Sequence, residues 1–426
     1  MAKVVRKHWI TDAGPGLARR DQRSCDYEAY IPDLLKGRDL VFEATTATDI
    51  ADAERAIAVF DAQASTLVET VALARILLRA ECVASSRIEG LEVGARRLLS
   101  AEAAIDLGEE PSDVTAAEVL ANIEAMSSAI RQIGPGDPIT IDLLLAFHSR
   151  LLTCTRLDAY AGHIRTEQNW IGGSGYNPCS ATFVPPPPEL VRELLNDLCS
   201  FCNDNALPPV AQAALAHSQF ETIHPFVDGN GRTGRALIHL VLRRRGLATR
   251  VLPPISLVLA TWAKDYVDGL QATRYRGPAS SLPARDGINL WVARFAAACR
   301  RAVADASSFE EKARQLQDLW RAKLGAVRAN SATDRLLRAL PGAPLVTVRS
   351  AQALVERTFP PANEAIKRLA EAAILRPVTV GRRNRAFEAP DVIEAFTALE
   401  RRLGSPTGDT RTSEPSRPVP YRQGRL

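Results

Sequence analysis

The sequence predicts a mainly α-helical protein with one small β-hairpin and a separate C-terminal module. Three observations carry that prediction. Apolar residues recur at helical spacing through most of the chain from Asp49 onward. A single Gly-rich stretch, Trp170 to Pro178, is followed by Phe183-Val184 and four prolines, and it has β-like runs on both sides of its tip. Beyond about residue 330 the texture changes to three short helical segments and then two strand-like runs.

The 426 residues allow two or three domains, and 46% hydrophobic with 24% charged residues is ordinary for a globular protein. A net charge of +4 is slight at this length, and only seven basic residues are Lys, so composition does not point to a nucleic-acid surface. No apolar run reaches the roughly eighteen residues that cross a bilayer, and Met1 to Thr11 is too polar for a secretory signal. A cytoplasmic protein with no membrane partner is expected. Seven cysteines, scattered from Cys25 to Cys299, do not read as a disulfide framework. Cys199 and Cys202 form a C-x-x-C without a second pair, and their spacing suits the packed face of a helix through Leu190 to Phe201.

Residues 1 to about 50 are mixed; Pro32 and Gly37 break any long helix, and Tyr27 to Leu35 reads as an extended strap. Helical patterns follow over Asp49 to Glu69 and Val71 to Ser85, the second ending where Gly90 suits a left-handed cap. Val114 to Ile130 is amphipathic, Gly134 to Pro138 is a break, and Thr140 caps a helix reaching Leu152. Arg165 to Val184 forms the hairpin, Pro185 to Pro188 stiffens its exit, and Glu189 opens a helix. His148, His217 and His239 read as neutral core histidines. Asn289 to about Arg328 is a long helix. Thr333 to Leu340, Ser350 to Arg357 and Asn363 to Ala372 are short helices, and Ile374 to Val380 and Arg385 to Glu388 are strands around a turn. From Leu403 on, Gly, Ser, Pro, Thr and Arg dominate, and a disordered tail is expected.

The chemistry concentrates between two helical runs, Val210 to Phe220 and Ala236 to Leu242, in the stretch Glu221 to Arg235. Gly229, Asn230 and Gly231 lead into a helix whose first N–H groups lack intrahelical partners, which makes an anion cradle. Arg232 and Arg235 stand three apart on one face and can reach the same polyphosphate, so a triphosphate is a natural guest. Asp228 beside that cradle would repel phosphate without a divalent cation, and magnesium suits one carboxylate plus substrate phosphates. His224 can take a proton near neutral pH and is the candidate general base.

The pattern His-Pro-Phe-x-Asp-Gly-Asn-Gly-Arg-x-x-Arg over 224–235 resembles the signature of the Fic family. The resemblance implies a helical core with a hairpin flap, and transfer of AMP from ATP to a Ser, Thr or Tyr hydroxyl of a target protein. It implies His224 as base and Asp228 as magnesium ligand, with Gly229, Asn230, Gly231, Arg232, Thr233, Gly234 and Arg235 around the ATP phosphates. Tyr266 is implied as a stacking partner near adenine, although Thr261 stands where some family members have Asn. Residues 165–184 would clamp the target backbone by edge pairing. Ser85, Glu89 and Gly90 resemble the family's upstream inhibitory motif of the class II arrangement, in which Glu89 would occupy Arg235 and leave ATP misaligned.

The C-terminal segments resemble the winged-helix tail of many Fic proteins, with Lys367, Arg368 and the wing arginines offering a contact for DNA or protein. These expectations divide the chain into an N-terminal helical region at 1–110, a catalytic core at 111–310, a bridging helix with winged helix at 311–400, and the tail at 401–426. A second copy of the chain is a further candidate partner. The alternatives are transfer of UMP or phosphocholine, removal of AMP, or a transcriptional regulator with a nucleotide-sensing core.

Overall fold

Where the sequence suggested only a strap, the chain opens with two antiparallel strands, β1 (Lys3–Trp9) and β2 (Cys25–Ile31), paired in register from Lys3 with Ile31 to Trp9 with Cys25. The structure is a computed structural model that describes residues 1–11, 18–19, 21–64, 70–153, 155–380 and 384–403. Helices α1 (Ala44–Ala64), α2 (Thr70–Ile88), α3 (Ala95–Asp106), α4 (Val114–Gln132), α5 (Ile141–Leu152), α6 (Pro188–Cys202), α7 (Pro209–Ile223) and α8 (Asn230–Arg244) follow. Then come α9 (Ile255–Thr261), α10 (Ala263–Ala272), α11 (Leu282–Leu324), α12 (Ala332–Ala339), β3 (Leu345–Val346), α13 (Val348–Val355), α14 (Phe359–Glu371), β4 (Arg376–Val380), β5 (Asn384–Glu388) and α15 (Pro390–Leu403). The mainly helical prediction stands, and no described helix is long and apolar enough to cross a membrane.

The chain forms two compact units from interleaved stretches. One comprises Met1–Arg55, Glu124–Thr249 and Lys264–Ala297; the other comprises the described parts of Ala56–Ile123, Arg250–Ala263 and Ala298–Leu426.

In the first unit α7 is the central helix. Proline at its first turn presets the backbone, and every residue from Val210 to Ile223 is buried. A helix buried all round needs small residues where neighbours come close, and Ala211, Ala213, Ala214 and Ala216 supply them. Its partner α8 approaches at Gly234, where an added Cβ would lie 2.5 Å from Glu221 Oε1 and 3.2 Å from His217 Nδ1. Trp291 of α11 is fully buried, and its Nε1 donates to the Ala214 carbonyl at 2.7 Å.

The expected hairpin at 165–184 is a loop closed by one bridge, Ile171 to Phe183, with a 3₁₀ turn at Pro178–Ser180. That turn corrects the cysteine reading: Cys179 forms a disulfide with Cys25 of β2, 154 residues away. An odd total concealed one distant pair among buried free thiols, which include Cys82, Cys199, Cys202 and Cys299. Cys199 and Cys202 line the packed side of α6, and burial pushes the Cys199 thiol up to about 12.

In the second unit α2 ends in a left-handed glycine cap. Gly90 has φ +83°, its N–H donates to Arg87 at 2.9 Å, and Leu91 N–H reaches back to Ser86 at 3.0 Å. Buried Glu81 accepts from Ser256 N–H at 2.7 Å and from its hydroxyl, tying α2 to the start of α9. The C-terminal helices and strands begin within a few residues of their expected starts, but β3 and α15 were not foreseen. The sheet runs β3-β5-β4, antiparallel throughout. The turn residues 381–383 and the predicted tail from 404 lie outside the described residues.

Candidate active site

His224 ends α7 in the left-handed region, φ 50° and ψ 61°, with its N–H still bonded to the Phe220 carbonyl at 2.9 Å. Pro225 cannot continue the helix and disfavours helical geometry at the residue before it, so local sequence drives this exit. A left-handed non-glycine residue costs on the order of 1–3 kcal/mol and persists only where surroundings fix it. Arg165 and Asn169 do so. Arg165 Nε donates to the His224 carbonyl at 2.8 Å, and Asn169 Nδ2 donates to the same oxygen at 3.2 Å. The buried Arg165 also bonds the carbonyls of Pro186 at 2.5 Å and Glu167 at 3.0 Å, while its own N–H donates to Pro225. Asn169 adds a bond to Phe226 at 3.0 Å.

Sequence reasoning missed both residues as site residues. Their bonds to the carbonyls of His224 and Phe226 span more than fifty positions, which no side-chain motif records.

The His224 ring keeps a partly exposed edge, but Nδ1 is buried. The ring's pKa is pushed down to about 3, by burial first and then by the Arg274 and Arg165 charges, against an opposing pull from the Glu221 carbonyl. It is neutral at neutral pH. With Nδ1 enclosed beside that carbonyl, Nε2 is the nitrogen open to a substrate.

The loop beyond His224 is closed by Asn230. Its Oδ1 accepts from Phe226 N–H and its Nδ2 donates to the Phe226 carbonyl, both at 2.8 Å. The side chain expected at phosphate therefore holds the loop, with one of its two Nδ2 donors committed to Phe226. Gly229 precedes α8 with φ +75°, and a Cβ there would stand 3.0 Å from Leu151, so glycine is needed on both counts. It brings no side chain to cap the helix, which leaves the first turn to an outside anion.

Thr233 and Gly234 face the interior. Thr233 is fully buried and its hydroxyl bonds the Gly229 carbonyl at 2.9 Å, while Gly234 serves the α7 contact. Arg232 and Arg235 are 4% and 1% exposed, and Arg232 Nη2 lies 3.9 Å from Asp228 Oδ1. The Asp228 side chain is 52% exposed, with Oδ1 accepting from Gly229 N–H at 2.5 Å. One open carboxylate beside a helix N-terminus fits a magnesium ion that takes its other ligands from phosphates and water, although the described residues contain no cluster of three metal-binding side chains.

His148 supports the loop from beneath. Nε2 donates to the Asp228 carbonyl at 3.0 Å, Nδ1 accepts from Gly162 N–H at 3.0 Å, and the ring stacks on Phe226 at 3.7 Å. Burial lowers its pKa to about 4, which agrees with a neutral structural role. His217 is likewise buried, its pKa pushed to about 3 by burial and then by Arg235, with Nε2 2.9 Å from the Tyr266 hydroxyl. Tyr266 is therefore 6% exposed and packed on His217 and Trp291, rather than presenting the open face expected for a nucleobase. In the second unit Ser85 is 2% exposed within α2, and Glu89 is exposed one residue past its end.

A family model described as the Fic/DOC family matches residues 138–242, and one for the Fic/DOC family N-terminal region matches 47–131. The chain is 38% identical over 133 residues to the protein adenylyltransferase fic-1 of Caenorhabditis elegans, covering 30% of this chain and 23% of that protein. It is 36% identical over 119 residues to the protein adenylyltransferase Fic of Drosophila mojavensis, covering 27% and 22%. The chain thus spans about a quarter of the length of these relatives. A Fic family protein from Desulfovibrio desulfuricans G20 is similar in structure at a TM-score of 0.49 and 20% identity, over 82% of this chain and 97% of that one. With both family models matched and the whole 224–235 motif present, residues 47–131 and 138–242 of this chain carry a Fic/DOC N-terminal region and a Fic/DOC domain.

Proposed function

We propose that this protein transfers AMP from ATP to a Ser, Thr or Tyr hydroxyl of a protein target. The observation that carries the reading is a left-handed, neutral His224 fixed by Arg165 and Asn169 next to an uncapped helix start. First-turn N–H groups of α8 and the Arg232 guanidinium hold the phosphates and offset charge that builds as the α-phosphate is attacked. His224 Nε2 takes the proton of the incoming hydroxyl, and pyrophosphate leaves. A pKa near 3 makes a weak base, but bound polyphosphate charge favours the protonated ring and raises its proton affinity where it is needed. Magnesium, when bound at Asp228, supplies charge neutralisation between the phosphates.

The 165–184 loop, attached to the His224 carbonyl through Arg165 and Asn169, is the proposed target clamp. Glu89 is proposed to restrain the resting enzyme, on the family resemblance of Ser85 to Gly90. His224→Ala should lower AMP transfer by about 10²–10⁴-fold, measured with ATP labelled at the α-phosphate. Unchanged transfer would remove His224 from the mechanism. Glu89→Gly should raise transfer, including self-modification, and equal activity would dismiss the restraint.

A further inference from the structure

Beside the outgoing run of the 165–184 loop, a groove of about 350 Å³ opens onto β2, and Arg274 lines its wall. One end is bounded by the Cys25–Cys179 disulfide, and the other by the bond from Tyr30 N–H to the Val184 carbonyl at 2.9 Å. Tyr30 turns its backbone away from β1 to make that bond. By the two-residue period of a strand, Glu28 and Asp26 turn theirs to the same edge. The groove therefore has an extended strand edge along one side.

Its charges are unevenly satisfied. Glu28 pairs with Arg276 at 2.8 Å, and Asp26 is bound by His8 at 2.7 Å and Arg6 at 3.4 Å. Arg274 forms no ion pair among the described residues. Its guanidinium lies 3.6 Å over the Phe183 ring, its hydrogen bonds among the described residues are long, 3.4 Å to Thr222 Oγ1 and 3.5 Å to the Glu221 carbonyl, and the Glu221 carboxylate attracts it without forming an ion pair. A largely enclosed guanidinium with donors to spare fits a carboxylate arriving from outside. Both contacts are within three residues of His224, so a segment held there is delivered to the catalytic end of α7.

We propose that this groove takes an extended segment of the protein target along the β2 edge, and that an acidic side chain of that segment pairs with Arg274. For the chemical step after docking, the proposal rests on the adenylyltransfer reading. The docking itself can be tested apart from it. The probe is a set of fluorescent synthetic peptides of about eight residues, long enough at about 3.3 Å each to run along β2. All carry one threonine and differ only in having Glu, Gln or Lys at the flanking positions.

Anisotropy with the full chain should show the Glu peptides binding at least about tenfold tighter than the Gln peptides, with the Lys peptides weakest. Arg274→Gln should abolish that ranking, and Arg274→Lys should keep part of it, while ATP binding stays equal in all three proteins. Equal binding of Glu and Gln peptides overturns the proposal, as does a ranking that survives in Arg274→Gln. Complete displacement of the Glu peptides by inorganic phosphate alone also overturns it, in favour of a plain anion site. A doubling of mass in solution that Arg274→Gln abolishes overturns it in favour of a second copy of the chain. If Arg274→Gln does not fold, the Arg274→Lys ranking decides. His224→Ala should leave the ranking intact; a Glu preference without any AMP transfer would refute the adenylyltransfer reading and leave the groove standing.

Discussion

Of the helices that end in a left-handed residue, α2 and α7 do so by opposite means. At the end of α2 the residue is Gly90, for which φ +83° carries no steric penalty, and its cap uses only backbone bonds to Ser86 and Arg87. At the end of α7 the residue is His224, where φ 50° is strained, and a buried arginine and an asparagine hold its carbonyl in place. A glycine would cap α7 with less strain. Strain alone does not mark a site, since α13 also ends on a left-handed residue, Glu356 at φ 52°; His224 differs in that side chains more than fifty positions away hold its carbonyl beside the uncapped start of α8.

Acid should separate the two ends most sharply. His224 and His217, pushed to about 3, and His148, pushed to about 4, all surround the α7 end, while Ser85 to Leu91 contains no histidine. Their folded pKa values lie below the usual 6.5, so the unfolded chain binds more protons. The stability they contribute is present above about pH 6.5 and is lost as pH falls through about 4 to 3. Thermal unfolding followed from pH 7 to 4 should show a steep fall, and a flat profile would contradict the neutral-histidine assignment.

Arg165→Met should come next. It leaves the carbonyls of Glu167 and Pro186 without their Arg165 donor and that of His224 with Asn169 alone, so stability should drop by about 2–4 kcal/mol in denaturant titration. A loss below about 0.5 kcal/mol would mean the left-handed turn holds itself.

Gly90→Ala should have the smallest effect. A Cβ at Gly90 meets nothing within 4 Å, so the cost is conformational alone, about 1 kcal/mol. A much larger loss would show that this cap, too, is constrained from outside.

Legibility in the sequence divides along the same line. The 224–235 motif was legible because its side chains are themselves the chemistry, at fixed spacing in one short loop. Arg165 and Asn169 were not, because they act on backbone carbonyls brought near only by folding. Asn230, Thr233 and Gly234 were assigned to phosphate by their position in the motif, yet their side chains, or the lack of one, serve the loop and the α7 contact. Tyr266 looked like a stacking face until His217 and Trp291 enclosed it. Long helices were visible from their apolar spacing, whereas β1 and β2 were missed because Lys3–Trp9 is charged and only partly buried, with no clear alternation. The Cys25–Cys179 bond was invisible across 154 residues.

The central claim is that the α-phosphate of ATP, and not the γ-phosphate, ends on protein through His224. Incubating the Glu89→Gly protein with magnesium and ATP labelled at one phosphate or the other tests it directly. The account predicts that α-label becomes covalently bound to protein and that γ-label appears only in free pyrophosphate, with both results lost in the His224→Ala, Glu89→Gly double variant. Protein-bound γ-label, or α-label incorporation that persists without His224, would contradict it.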